Sequence, residues 1–161
     1  MLLGRRTAGV DARAAVYAGV AAGIIATAVQ IALWLILTDA MPAILYRDSR
    51  FAAAMVLGRG VLPPPTSFDA GIILIAAAVH FALAIAYALV LGWLIAEFRM
   101  RTSLLAGAAF GLCVYALNMY GFTTVFPWFA SSRDWITAVT HLVFGMVLAA
   151  VYRIAVRAPR Q

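Results

Sequence analysis

Residues 70–96 read AGIILIAAAVHFALAIAYALVLGWLIA, a run with no charged side chain and with His80 inside it. About 20 apolar residues in a helix cross the hydrocarbon core of a bilayer, so this stretch is long enough to span one. Three more stretches share its character: Ala14 to Thr38, Ser103 to Phe126, and Trp135 to Tyr152, the last continuing to about residue 156. In lipid, backbone groups must be satisfied within the segment, which makes each of these a helix. The alternation of polar and apolar residues that marks a membrane barrel is absent. Composition agrees: 66% of the 161 residues are hydrophobic and 11% are charged, whereas soluble domains carry roughly one-quarter charged residues. Water offers no place for so much apolar surface. The expectation is an all-α polytopic membrane protein, a single transmembrane domain over residues 1–161. Its four transmembrane helices fall at about 14–38, 70–96, 103–126 and 135–156, with an outer connection at 39–69.

The net charge of +6 is distributed as a topology signal rather than as a nucleic-acid footprint. Arg5, Arg6 and Arg13 precede the first span, Arg99 and Arg101 join the second to the third, and Arg153, Arg157 and Arg160 follow the fourth. Only Asp11 and Glu97 oppose them. In the other two connections Arg47, Arg50, Arg59 and Arg133 are balanced by Asp39, Asp48, Asp69 and Asp134. Arginine excess marks the cytoplasmic side, so both termini are expected in the cytoplasm of a bacterium, with the chain in its inner membrane. Membrane lipid is the expected surrounding and nucleic acid is not an expected partner. The first apolar run exceeds the 7–15 residues of a cleavable signal, and no consensus surrounds the Arg5–Arg6 pair; an uncleaved first span is expected. Cys113 is the only cysteine and lies mid-span, which excludes a disulfide framework and a thiolate metal cluster.

The inner turn Glu97–Thr102 is short, so the second and third spans are expected to pack as an antiparallel hairpin. The outer connection at 39–69 differs in kind. Pro42 and Pro63–Pro65 interrupt helix. Between them Ile44, Leu45, Phe51, Ala52, Met55 and Val56 fall on one helical face, with Arg47, Asp48 and Arg50 on the other. That pattern predicts a short interfacial helix that lies on the outer membrane surface or caps the bundle.

Two stretches of the chain resemble each other. Gly19, Gly23 and Gln30 recur, 88 residues on, as Gly107, Gly111 and Asn118. The spans that follow each carry one of the chain's two histidines, His80 and His141, 61 residues apart. The reading is a 2+2 parallel duplication, a plan found among transporters with sites near the midplane. At 1.5 Å per residue, Gln30, His80, Asn118 and His141 all sit roughly 10–17 Å below the outer boundary. With Thr27 and Thr140 nearby, they form the candidate buried polar centre. Polar groups at membrane depth are costly and usually functional.

Three uses of that centre stand open. Interhelical hydrogen bonds could hold the bundle together, contributing about 0.6 kcal/mol each and up to nearly 2. That use belongs to a non-enzymatic membrane module or accessory subunit. Alternatively, histidines that titrate near neutrality could serve a small transporter or proton-conducting element. Third, His80 and His141 could ligate haem b as a bis-His electron carrier, although no attachment motif is present. No cofactor is required by the first two. Zinc lacks the usual ligand count, and no metal site is expected. No Ser-His-Asp order, Gly-rich phosphate loop or carboxylate pair gives hydrolase or nucleotide chemistry a footing. Gly19, Gly23, Gly107, Gly111 and Gly145 are candidate helix-packing positions, Gly19-x-x-x-Gly23 and Gly107-x-x-x-Gly111 forming small-residue ridges that serve internal packing or a homo-oligomer. A membrane partner subunit is the other expected associate. Trp34, Trp93, Trp128, Trp135, Tyr46 and Tyr152 lie toward span ends, where interfacial anchoring is expected.

The segment Thr140-His141-Leu142-Val143-Phe144-Gly145, running on to Leu148 and Tyr152, resembles the last span of small uncharacterised four-span bacterial inner-membrane proteins similar to the YagU family. The resemblance extends to a glycine-rich first span and to the hydropathy plan over about residues 14–156. It implies a four-span inner-membrane protein and no particular chemistry.

Overall fold

The computed structural model describes residues 10–157. Arg5, Arg6 and Arg160, which carry part of the orientation argument, lie outside the described residues. The chain forms α1 (Ala12–Leu37), α2 (Ala43–Leu57), α3 (Ala70–Leu94), α4 (Met100–Ala116) and α5 (Trp135–Arg157). A π-helical turn at Leu117–Gly121 and a 3-10 turn at Phe122–Thr124 continue α4, and another 3-10 segment, Pro127–Ser132, leads toward α5. No strand occurs among the described residues. The fold is all-α and polytopic: α1, α3, α5 and the run Met100–Thr124 are long and apolar enough to cross a membrane.

Three spanning helices begin at an aspartate. Asp11 accepts from the Ala14 backbone N–H at 3.0 Å, Asp69 from Ile72 at 3.0 Å and Asp134 from Thr137 at 2.8 Å. Each carboxylate satisfies an amide that the first helical turn leaves free. Half of the chain's acids are thereby committed to helix starts rather than to the membrane interior.

The neighbours in the bundle are set by small residues, not by chain order. α5 packs along both α1 and α4, α1 also packs on α3, and α2 lies on α3. The expected hairpin of α3 with α4 does not form as a close helix pair: those two meet chiefly through Tyr87, which reaches Phe110 and Asn118. The reason lies on α4. A Cβ at Gly107 would overlap the Gly145 carbonyl, and one at Gly111 would overlap the His141 carbonyl, so the glycine ridge of α4 is spent on α5. Gly19 plays the same part on α1, where a Cβ would stand 2.8 Å from Ile85 Cα of α3. Without a hydrophobic drive between helices in lipid, such close backbone approach supplies the packing energy.

The tightly packed core, built from Ala14, Ala15, Ala18 and Ala22 of α1 with Ala88, Leu91, Leu148 and Ala149, sits in the half nearest the chain ends. Tyr152 belongs to it rather than to an interface. It is 3% exposed, packs against Gly92, and its hydroxyl accepts from the Asp11 N–H. Trp34 is likewise 3% exposed, whereas Trp93 at 68% and Trp135 at 60% face outward as interfacial anchors do. Trp34 lines the space between α1, α2 and α3.

α2 caps the end of the bundle away from the chain ends. Trp128 Nε1 donates to the Phe51 carbonyl at 3.0 Å, Phe51 meets Phe129 edge to face, and Arg59 lies over the Trp128 ring. The helix appears where the hydrophobic pattern predicts, but its faces are assigned differently. Val56, expected on the covered face, is 69% exposed, and Ala53 and Ala54 are the buried pair. Asp48, expected to face outward, borders the interior instead. The connection follows the bundle's shape more than its own amphipathicity.

Candidate polar chamber

Gln30, His80, Asn118 and His141, from four different stretches of helix, line one cavity of about 160 Å³, together with Thr27 and Thr140. The walls between them are Ala26, Leu83, Ala84, Tyr87, Val114 and Phe144. A second cavity of about 210 Å³ begins at the same Gln30, His80, Asn118 and His141 and extends to Asp48, Phe126, Phe129 and Ser132 under the cap. A third, about 470 Å³, lies between α1, α2 and α3 and again borders Gln30, His80 and Asp48. The three cavities thus share Gln30 and His80 and lie together between the polar centre and α2, in the half of the bundle away from the chain ends.

The two halves of the centre are bonded differently. On the α4–α5 side, His141 Nδ1 lies 2.8 Å from the Thr137 carbonyl, one turn back. A carbonyl only accepts, so Nδ1 carries the hydrogen and Nε2 of the neutral ring is an acceptor. The Asn118 amide donates to it at 3.4 Å, and Asn118 Oδ1 accepts from the Tyr87 hydroxyl at 2.8 Å. The chain Tyr87–Asn118–His141 thus ties α3, α4 and α5. Tyr115 adds an edge-to-face contact with the His141 ring. On the α1–α3 side, His80 Nε2 lies 3.4 Å from the Gly23 carbonyl and 3.5 Å from Thr27 Oγ1. Gln30 has no hydrogen bond from its side chain among the described residues. Thr140, though it lines the cavity, spends its hydroxyl on the Ile136 carbonyl of its own helix at 2.8 Å.

Asn118 lies in the π-helical turn, which interrupts the helix expected to run unbroken to Phe126. Turns of this kind recur at functional sites. Arg133 and Thr123 brace the turn: Arg133 Nε donates to the Met119 carbonyl at 2.5 Å, its guanidinium donates to Thr123 Oγ1 at 2.7 Å and covers the Tyr120 ring, and the Thr123 hydroxyl lies 3.3 Å from the Met119 carbonyl and 3.1 Å from that of Tyr120. In the sequence Arg133 reads only as charge balance, and no periodicity signals this use.

Asp48 is the other residue that sequence reasoning misses. Arg47 pairs with its Oδ1 at 2.8 Å and Ser132 donates to that oxygen at 3.4 Å. Burial pushes the Asp48 carboxyl above the ordinary carboxylate range, outweighing the downward pull of Arg47 and the hydrogen bond from Ser132. A signal was present in the run Arg47-Asp48, where one acid between basic neighbours on a helix over a polar centre can point inward. Helical phase alone put it outside. Among the described residues, no group of three or more His, Cys, Asp or Glu side chains converges as metal ligands do.

Comparison with family models, with curated proteins and with solved structures gives no match to this chain.

Proposed function

We propose that this protein is a non-enzymatic, solute-receiving module of the bacterial inner membrane, with both termini cytoplasmic and a polar chamber open toward the outer face. The observation that carries the reading is the shared cavity at Gln30, His80, Asn118 and His141, which continues to the underside of α2. A centre that served packing alone would close on itself, as Tyr87, Asn118 and His141 do. Gln30 instead lines the cavity with its amide uncommitted to any protein group among the described residues. Polar side chains around a cavity at membrane depth mark binding or permeation sites, and cavities with a few convergent polar groups are where ligands sit.

The orientation is supported by the inner-end arginines. Among these Arg153 also donates to the Ala96 carbonyl at 2.8 Å, beyond the end of α3. The kinship with the YagU family stays part of the proposal, resting on the 140–145 motif. So does the duplication, which has a packing argument in its favour: Gly19 docks on residues 84–85 of α3, Gly107 docks on Gly145, and positions 84 and 145 are related as His80 and His141 are. Haem ligation has less to support it, since each Nε2 is directed at a protein partner, Gly23 or Asn118.

Labelling from outside tests the reading. In a Cys113→Ser background, Gln30→Cys is expected to react with a membrane-impermeant thiol reagent added to the outer face. Leu105→Cys, on the exposed flank of α4 at 74% exposure, is expected not to react. Equal inertness of both positions would contradict an outward-open chamber.

A further inference from the structure

Gln30, Asp48 and His80 border both outer cavities, so they stand where those two spaces meet. Each offers an acceptor that no protein donor occupies among the described residues. Arg47 and Ser132 both address Asp48 Oδ1, which leaves Oδ2. His80 Nε2 faces a carbonyl and so carries the hydrogen, which leaves Nδ1 of the neutral ring as acceptor. The uncommitted amide of Gln30 can turn its Oε1 inward. No arginine borders either cavity, and Phe81, Phe126 and Phe129 supply aromatic wall. Acceptors, one carboxylate and ring faces together suit a ligand that is all donor and positively charged.

We propose that this junction binds a small protonated primary amine, whose three N–H groups are taken by Asp48 Oδ2, Gln30 Oε1 and His80 Nδ1. The proposal rests on the chamber reading and names its ligand class. An ammonium carries three donors and no acceptor, which matches the three open positions. Space is adequate, since a water molecule occupies about 30 Å³ of liquid and the two cavities measure about 210 and 470 Å³. An imidazole nitrogen among the acceptors favours an N–H donor over sodium or potassium, because hard cations take oxygen ligands. Asp48 is half-buried and paired with Arg47 through Oδ1, so Oδ2 is the oxygen it offers to the ammonium.

The test is thermal unfolding of the purified full chain in detergent with methylammonium chloride. Sodium, potassium and tetramethylammonium chlorides at equal ionic strength serve as controls, with acetamide as the neutral probe. The expected result is a saturable rise in melting temperature with methylammonium only. Asp48→Asn and Gln30→Leu should each weaken its apparent affinity by roughly tenfold or more, the loss of one charge-assisted bond. If Asp48→Asn does not fold, Gln30→Leu, which removes no protein hydrogen bond, carries the comparison. Equal stabilisation by tetramethylammonium or potassium would overturn the proposal, as would undiminished binding in the variants. Acetamide stabilising wild type and Asp48→Asn alike would overturn the cation while leaving a polar chamber in place. No saturable shift with any probe would also overturn it, and labelling at position 30 would then decide separately whether the chamber is open.

Discussion

Gln30 and Asn118 occupy corresponding positions in the two apolar runs, yet one amide is bonded and the other is not. Asn118→Leu removes hydrogen bonds to Tyr87 and His141 and is expected to cost about 0.6–2 kcal/mol for each. Gln30→Leu removes none and should leave the melting temperature level or slightly raised. Thermal unfolding of the two variants side by side checks this, and a comparable loss in Gln30→Leu would mean that both amides are structural. Asp48 gives a pH dependence. Its folded-state carboxyl titrates above its ordinary value of 3.8, so the folded chain holds that proton more tightly than the unfolded chain. Its contribution to stability is greatest below the ordinary value and declines as pH rises through the window up to the raised one. Relative to Asp48→Asn, wild type should therefore lose melting temperature as pH climbs through that window. A wild type that gains on the variant there would reverse the sign. Sequence depth alone brought the four polar positions to one level. The difference between Gln30 and Asn118 was not legible, because bonding depends on side-chain reach and on the π-helical turn, which local sequence does not signal.

At the scale of elements, hydropathy located the four spans to within a few residues, since lipid imposes length and helicity directly. It failed on which helices touch. Chain adjacency argued for α3 with α4, while the glycine ridge of α4 lies against Gly145 of α5. A ridge shows that some helix comes close without naming it. Gly111→Ala and Gly145→Ala each place a methyl group against backbone that cannot retreat, and overpacking of this kind typically costs about 1–3 kcal/mol. Unfolding in detergent should register that loss for both. Unchanged melting would contradict so close an approach of α4 to α5. α2 shows the other limit of periodicity. Its helical pattern was readable, but the helix turned Asp48 inward because it is clamped through Trp128, Phe51 and Ser132 to the opposite connection.

For the molecule as a whole, the small-residue core fills the half nearest the chain ends and the polar chamber occupies the other half, beneath α2. This asymmetry makes access from one side the natural consequence. In the proposed orientation, with the arginine-rich end in the cytoplasm, that side is the exterior. A reporter fused after residue 161 is accordingly expected to be active in the cytoplasm, and activity confined to the periplasm would invert the orientation and the direction of access together.

The most direct measurement is solid-state NMR of the chain in lipid bilayers with its histidines labelled with nitrogen-15. There are only two histidines, so one His80→Gln sample assigns both signals. The account predicts magnetisation transfer from mobile water to both imidazoles, with His141 protonated on Nδ1. Imidazole signals correlated with lipid acyl protons and not with water would contradict it.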